Sequence, residues 1–288
     1  MSSYSIIDPT LQRIVIGTVL IGLSASLVGV FSFLRKKSLI GDAISHAILP
    51  GIAVAYLFIE TKNPVVLLIG AVIAGWLATI VMGGLQRTTK LKEDSIIAIV
   101  LSAFFALGLV LLSWIQGHSN GSQSGLSDFL FGKVAALTNQ DVYLFTLVGA
   151  ALLLIIGIKK RLFYYIAFDR DYMTTRGFSV RWNESIVSTC SIFAIAIGIQ
   201  AVGVVLMSAL LIIPVASARM LTYRLGTLML LTGIFGVVSA LGGSYLSTLS
   251  ANMPTGPWII MVLAGIALLS FFIGKLRSKT NHQKAKLG

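Results

Sequence analysis

The sequence predicts an all-α, polytopic transmembrane bundle of about nine spans, and three observations predict it. Hydrophobic residues make up 56% of the 288 and charged residues only 11%, under half the ~25% of an ordinary soluble domain. The mean hydropathy is +0.93. The apolar residues are gathered into long runs that are apolar all round, whereas the strands of a membrane β-barrel alternate polar and apolar positions.

The runs lie at 14–34, 38–59, 64–85, 95–115, 142–158, 185–199, 203–218, 225–247 and 256–274. The first is long enough to span, and the first eleven residues of the sequence hold no basic n-region, so it reads as a span and not as a cleavable signal. Small residues four apart recur as Gly22 with Ser26, Ala71 with Gly75 and Gly236 with Ala240, a spacing that lets helices approach closely. The weak stretch is 185–218. Its halves fall short of the ~20 residues a spanning helix needs, with Gly198, Gln200 and Gly203 at the join and Pro214 in the second half. Read as one broken or re-entrant element, it lowers the count to eight. Short, Gly/Pro-interrupted segments are where transporters place unwound backbone beside a pathway; a lipid-facing kink is the plainer alternative.

Charge sets the orientation. Nine crossings put the termini on opposite sides. An outer N-terminus leaves Arg35–Lys37, the Arg87/Lys90/Lys92 loop, the 159–183 loop, Arg219 with Arg224 and the 275–288 tail inside. Of the 22 Lys and Arg, only Arg13, Lys62 and Lys133 then lie outside, as the positive-inside rule requires. The same rule accounts for the net charge of +12 without any nucleic acid. Cys190 is the only cysteine, which excludes intrachain disulfides and thiolate metal cages.

Two loops carry information. From Gln116 to Gln140 the outer loop has a polar GHSNGSQSG part, with His118 reading as a solvated residue. Its LSDFLFGKVAAL part suits a short interfacial or re-entrant helix. The inner loop contains AFDRDYMTTRGFSVRW. Acids (Asp169, Asp171) at its start and Arg176-Gly177 at its end suit a short helix across the cytoplasmic face, although a charged connector would look similar.

The chemistry converges on SLIGDAISHAILPGIAVAYLFI, residues 38–59. Asp42 and His46 are four apart, so on a helix they share a face. An ionisable group near the bilayer centre costs at least ~2.5 kcal/mol and marks function by default. His46 lies eight residues from Ser38, or ~12 Å into a ~30 Å core. Pro50 and Gly51 should weaken or break the helix just beyond the pair. Carboxylate and imidazole suit a divalent first-row metal; a proton relay and a structural Asp–His hydrogen bond remain open readings of the same residues. Enzyme motifs are absent: there is no HExxH, no GxSxG and no GxxxxGK[ST] phosphate loop.

At GDAISHAILPGIAVAYL the chain resembles the membrane permease subunits of bacterial manganese/zinc/iron ABC importers. The resemblance continues in KEDSIIAIVLSAFFALG (92–108), GLSDFLFGKVAAL (125–137) and VGVVLMSALLIIPVASA (202–218). It implies a single permease domain over 1–288 in the bacterial plasma membrane. The partners it implies are a cytoplasmic ATPase, a second permease subunit, an extracellular metal-binding protein and membrane lipid. Asp42 and His46 would take part in passage of a divalent metal, carried as substrate with no permanent cofactor. The inner loop would be the coupling helix, on the pattern Phe168-Asp169, a small residue usually alanine, then Gly177. Met173 occupies the alanine position here, and Arg170 and Thr175 are also unusual. The Leu49-Pro50-Gly51 ending leans towards manganese. The alternative is a stand-alone ion- or proton-coupled secondary metal transporter, which has no need of a coupling helix.

Overall fold

The computed structural model describes residues 9–60, 63–118, 137–168, 170–248 and 255–287; these are helical nearly throughout and contain no strand. In chain order the helices are α1 (Pro9–Leu34), α2 (Ser38–Ala47), α3 (Leu49–Ile59), α4 (Pro64–Thr88), α5 (Glu93–His118), α6 (Asn139–Phe168), α7 (Arg170–Thr175), α8 (Val180–Val202), α9 (Val204–Leu221), α10 (Leu225–Thr248) and α11 (Thr255–Leu287). With α2 and α3 taken together, eight of these elements are long and apolar enough to cross a membrane, and α9 is a shorter apolar helix.

Local chemistry starts the helices where they start. Pro64 opens α4, and the Asn63 side chain accepts from the Val65 N–H at 3.0 Å, which satisfies one of the first-turn donors. The Asp141 carboxylate in the first turn of α6 accepts from the Thr138 N–H and Oγ1 at 2.9 and 2.8 Å, while the Asp141 N–H donates back to Thr138 Oγ1 at 3.2 Å. That reciprocal cap explains a fully buried carboxylate without any functional role. In α8 the Ser179 Oγ accepts from the Trp182 N–H.

α1 is the hub, packed against α6, α8, α9 and α10. The small-residue pairs explain how it gets so close. A Cβ added to Gly22 would stand 2.7 Å from the Gly236 carbonyl oxygen and 3.3 Å from Ala240 Cβ, so two pairs that are separate in the sequence face each other across α1 and α10. The third pair, on α4, faces α8: a Cβ on Gly75 would be 2.8 Å from Ile192 Cγ2. Thr18 and Ser244 hydroxyls lie 3.1 Å apart across α1 and α10.

The stretch 185–218 differs from the two short halves expected. α8 begins at Val180 and has 23 residues, so its half is a full span. It ends at Gly203, whose φ of 85° and ψ of 166° belong to a region essentially reserved for glycine. The chain reverses there, bringing Met207 back against Gly198. α9 then runs beside α11, with Leu206 against Gly256 at one end and the Met220 carbonyl 3.1 Å from a Cβ placed on Gly274 at the other. It therefore traverses the bundle in spite of its 18 residues.

The basic loops gather at one end of the bundle. Lys37 reaches Glu93 at 3.3 Å, joining the α1–α2 and α4–α5 links, and Arg35 reaches Glu184 at 3.1 Å, joining α1 to α8. Glu184 stands one position before the apolar run at 185; in the fold it lies within α8, neutralised by Arg35. Two segments expected as loop or tail are helical instead: α6 continues through 159–168, and α11 continues through 275–287. α5 continues through His118, and the remainder of the outer loop at 119–136 lies outside the described residues, as does Asp169.

Candidate functional site

Asp42 and His46 are on α2, where the helical period places His46 Nε2 3.8 Å from Asp42 Oδ1. That exceeds the 2.7–3.2 Å of a hydrogen bond, which argues against a merely structural Asp–His bond. It is close to the roughly 3.4 Å separating two tetrahedral ligands that each stand ~2.1 Å from one ion. The side chains are 35% and 22% exposed respectively, so a charge here is open on one side and walled by the bundle on the other.

The walls are built by close packing. α5 supplies Phe105, whose ring meets the His46 imidazole edge to face, with centroids 5.0 Å apart and planes at 88°. α5 comes this near because Gly108 lies against Leu49 and Pro50: a Cβ there would be 2.7 Å from Leu49 Cβ. On α9, Leu211 Cδ1 lies 3.2 Å from a Cβ placed on Gly41. His46 Nδ1 is buried with no hydrogen-bond partner, a state that costs ~1–3 kcal/mol.

The helix interruption falls at Ile48, two residues after His46 and two before Pro50. Ile48 keeps right-handed helical angles (φ −74°, ψ −24°). The ladder crosses the joint through Ile48 N–H to the Ile44 carbonyl and Ile52 N–H to the Ile48 carbonyl. Pro50 has no N–H to give the carbonyl of His46, four residues back, so that oxygen lacks its i+4 donor and takes only a share of the Ile48 N–H, which it divides with the Ile44 carbonyl. Gly51 has a packing task beside the interruption. It packs backbone to backbone on Gly70 of α4, where an added Cβ would overlap the Gly70 carbonyl and Ala74.

Among the described residues no group of three or more His, Cys, Asp and Glu comes together. The pair can hold a dication only loosely, with the remaining coordination from oxygen donors such as water or backbone carbonyls.

The inner segment forms a six-residue helix, α7, between α6 and α8. Its stop is built by Gly177 at φ 75°, with the Gly177 N–H on the Thr174 carbonyl and the Phe178 N–H on the Met173 carbonyl, both at 3.0 Å. Met173 is buried to 1% exposure, so it anchors α7 to its own chain. The aromatic residues Phe168, Tyr172 and Phe178 are left exposed. Sequence reasoning misses Phe105, Gly70 and Gly108, whose only signal is an aromatic or glycine in an otherwise apolar run.

Known proteins share both the sequence and the fold. The profile of the ABC 3 transport family matches residues 7–274. The zinc transport system membrane protein TroC of Treponema pallidum is 41% identical over 274 residues, covering 94% of this chain and 91% of that protein. The manganese transport system membrane protein MntC of Bacillus subtilis is 42% identical over 263 residues, which is 91% of this chain but 60% of that longer protein. Among solved structures, PsaBC from Streptococcus pneumoniae in complex with Fab superposes with a TM-score of 0.82 at 31% identity, covering 93% of this chain and 92% of that one. With the fold and the sequence in agreement over nearly the whole length, this chain belongs to the ABC 3 transport family.

Proposed function

We propose that this chain is the permease subunit of an ATP-driven importer that carries a divalent transition metal, manganese in preference to zinc or iron, across the bacterial plasma membrane. The observation that carries the reading is the Asp42–His46 pair on α2, 3.8 Å apart and partly open, within a 22-residue apolar span. The carboxylate offsets the cost of bringing a dication into low dielectric, and the imidazole adds a borderline nitrogen ligand. Few ligands and one open side suit an ion that must leave as well as enter. The relatives named for manganese and zinc transport support the same cargo.

Hydrolysis of ATP belongs to a separate chain. The exposed Phe168, Tyr172 and Phe178 around α7 are the surface that docks it, with Met173 as anchor, Gly177 as stop and Asp169 at the start of the segment. This surface favours an ATPase-coupled permease over a stand-alone secondary transporter. A second permease subunit, the same or related, closes the open side of the pair, and an extracellular protein delivers the metal. The N-terminus is outside and the basic end cytoplasmic.

The deciding experiment is Mn²⁺ uptake by the full complex in proteoliposomes with Asp42→Asn. Asparagine keeps shape and hydrogen bonding but removes the charge. Uptake is expected to fall roughly tenfold or more, the effect of ~1.4 kcal/mol or greater. Near-normal uptake would remove the pair from the pathway.

A further inference from the structure

A cavity of about 820 Å³ opens at the basic end of the bundle, between α1, α2, α4 and α8. It is separate in composition from the Asp42–His46 pair, neither member of which lines it. Four basic side chains do: Arg35, Lys37, Arg87 and Arg181. Two are already engaged, Arg35 by Glu184 at 3.1 Å and Lys37 by Glu93 at 3.3 Å. Arg87 and Arg181 are exposed at the mouth, and among the described residues no carboxylate lies within ion-pair distance of either. Among the described residues Glu184 is the only acid in the lining, so they give the cavity a net positive charge.

The rest of the wall mixes hydroxyls, among them Ser188 and Thr189, with an apolar stripe. Ile44, Ile80 and Ile186 line it, and the volume falls within the ~300–1,000 Å³ of ligand-binding pockets. Trp182, 68% exposed, stands beside Arg181 in the lining, while Trp76 lines the deeper part of the cavity at the middle of α4. Tryptophan at the junction of apolar and basic surface is the signature of the headgroup level of a membrane.

We infer that this cavity binds the phosphate of an anionic phospholipid, its headgroup held by Arg87 and Arg181 and its acyl region lying on the isoleucine wall. Basic pockets between transmembrane helices hold anionic headgroups in this way. A free phosphate would satisfy the arginines but leave the isoleucine stripe and the Trp182 indole in water, which is why the lipid is the better occupant. The site links α1, α4 and α8, so a bound lipid braces the cytoplasmic half of the bundle.

The test is native mass spectrometry of the purified full-length chain with phosphatidylglycerol, phosphatidylethanolamine or inorganic phosphate added in turn. Wild type is expected to retain phosphatidylglycerol in preference to phosphatidylethanolamine. Arg87→Gln with Arg181→Gln should cut that preference about 30-fold, from about fivefold per cation near the membrane surface. Arg224→Gln with Lys275→Gln, which removes the same charge elsewhere, should leave it intact. Retained preference in the first double variant overturns the site, and so does equal loss in the second. Displacement of the lipid by millimolar inorganic phosphate overturns the lipid in favour of a soluble anion. Should the double variant fail to fold, quenching of wild-type tryptophan fluorescence by brominated phosphatidylglycerol keeps the question open to refutation. Quenching no stronger than by brominated phosphatidylethanolamine overturns the proposal.

Discussion

Two interruptions in apolar runs look alike in the sequence and differ completely in the fold. One is at Ile48, beside Pro50 and Gly51; the other is at Gly203. At Ile48 the backbone stays right-handed, the hydrogen-bond ladder steps across, and α2 and α3 continue as one crossing. At Gly203 φ becomes positive and the chain turns back, so α8 and α9 are two passages. The number of breaker residues nearby does not distinguish them. The sign of φ at one residue does, because a left-handed step redirects the helix axis while a missing N–H merely loosens one turn. The first interruption takes the i+4 donor from the His46 carbonyl and leaves the path of the chain alone; the second decides the topology.

The sharpest way to break this contrast is Gly203→Val. A β-branched residue in that backbone region costs on the order of 1–3 kcal/mol or more, and the α8–α9 reversal depends on it. Folded, detergent-stable protein should largely disappear in a fluorescence size-exclusion assay. A normal monodisperse peak would mean that the reversal does not require glycine.

Gly177 has almost the same φ, 75° against 85°, but no atom lies within 4 Å of a Cβ placed there. Gly177→Trp should therefore leave the chain folded at a cost of about 1–2 kcal/mol. It should abolish metal-stimulated ATP hydrolysis and transport in the assembled complex, by adding bulk to the docking surface. If hydrolysis and transport stay normal in the assembled complex, α7 is an ordinary connector.

Pro50→Ala restores the missing donor to the His46 carbonyl. Thermal stability should shift by no more than ~1 kcal/mol, since Pro50 sits at the start of α3 where it is well tolerated. Uptake should nevertheless fall several-fold, because the carbonyl returns to the ladder. Unchanged uptake would reduce Pro50 to a tolerated kink.

Much of this is legible in the order of the residues. Asp42 and His46 stand out because intramembrane charge is rare, and their sharing of a face follows from the helical period alone. The small-residue pairs announce close packing, though not that Gly22 and Gly236 meet. Gly51 reads as a helix breaker because its partner, Gly70, is nineteen positions away in a separate span and nothing local points to it. Met173 reads as part of a docking surface because spacing within a motif carries no information on which side of a short helix is buried.

What the sequence determined by itself is the class, the spans and the adjacency of the pair, since hydropathy and helical periodicity are properties of neighbouring residues. The tertiary structure alone decided the direction of the chain after Gly203, the aromatic wall of Phe105 against His46, and the joining of Arg87 and Arg181 in one cavity. Each of these depends on contacts between residues far apart in the chain. In an apolar bundle such contacts are selected by shape, by the fit of a glycine against a neighbouring backbone, and leave almost no mark on composition.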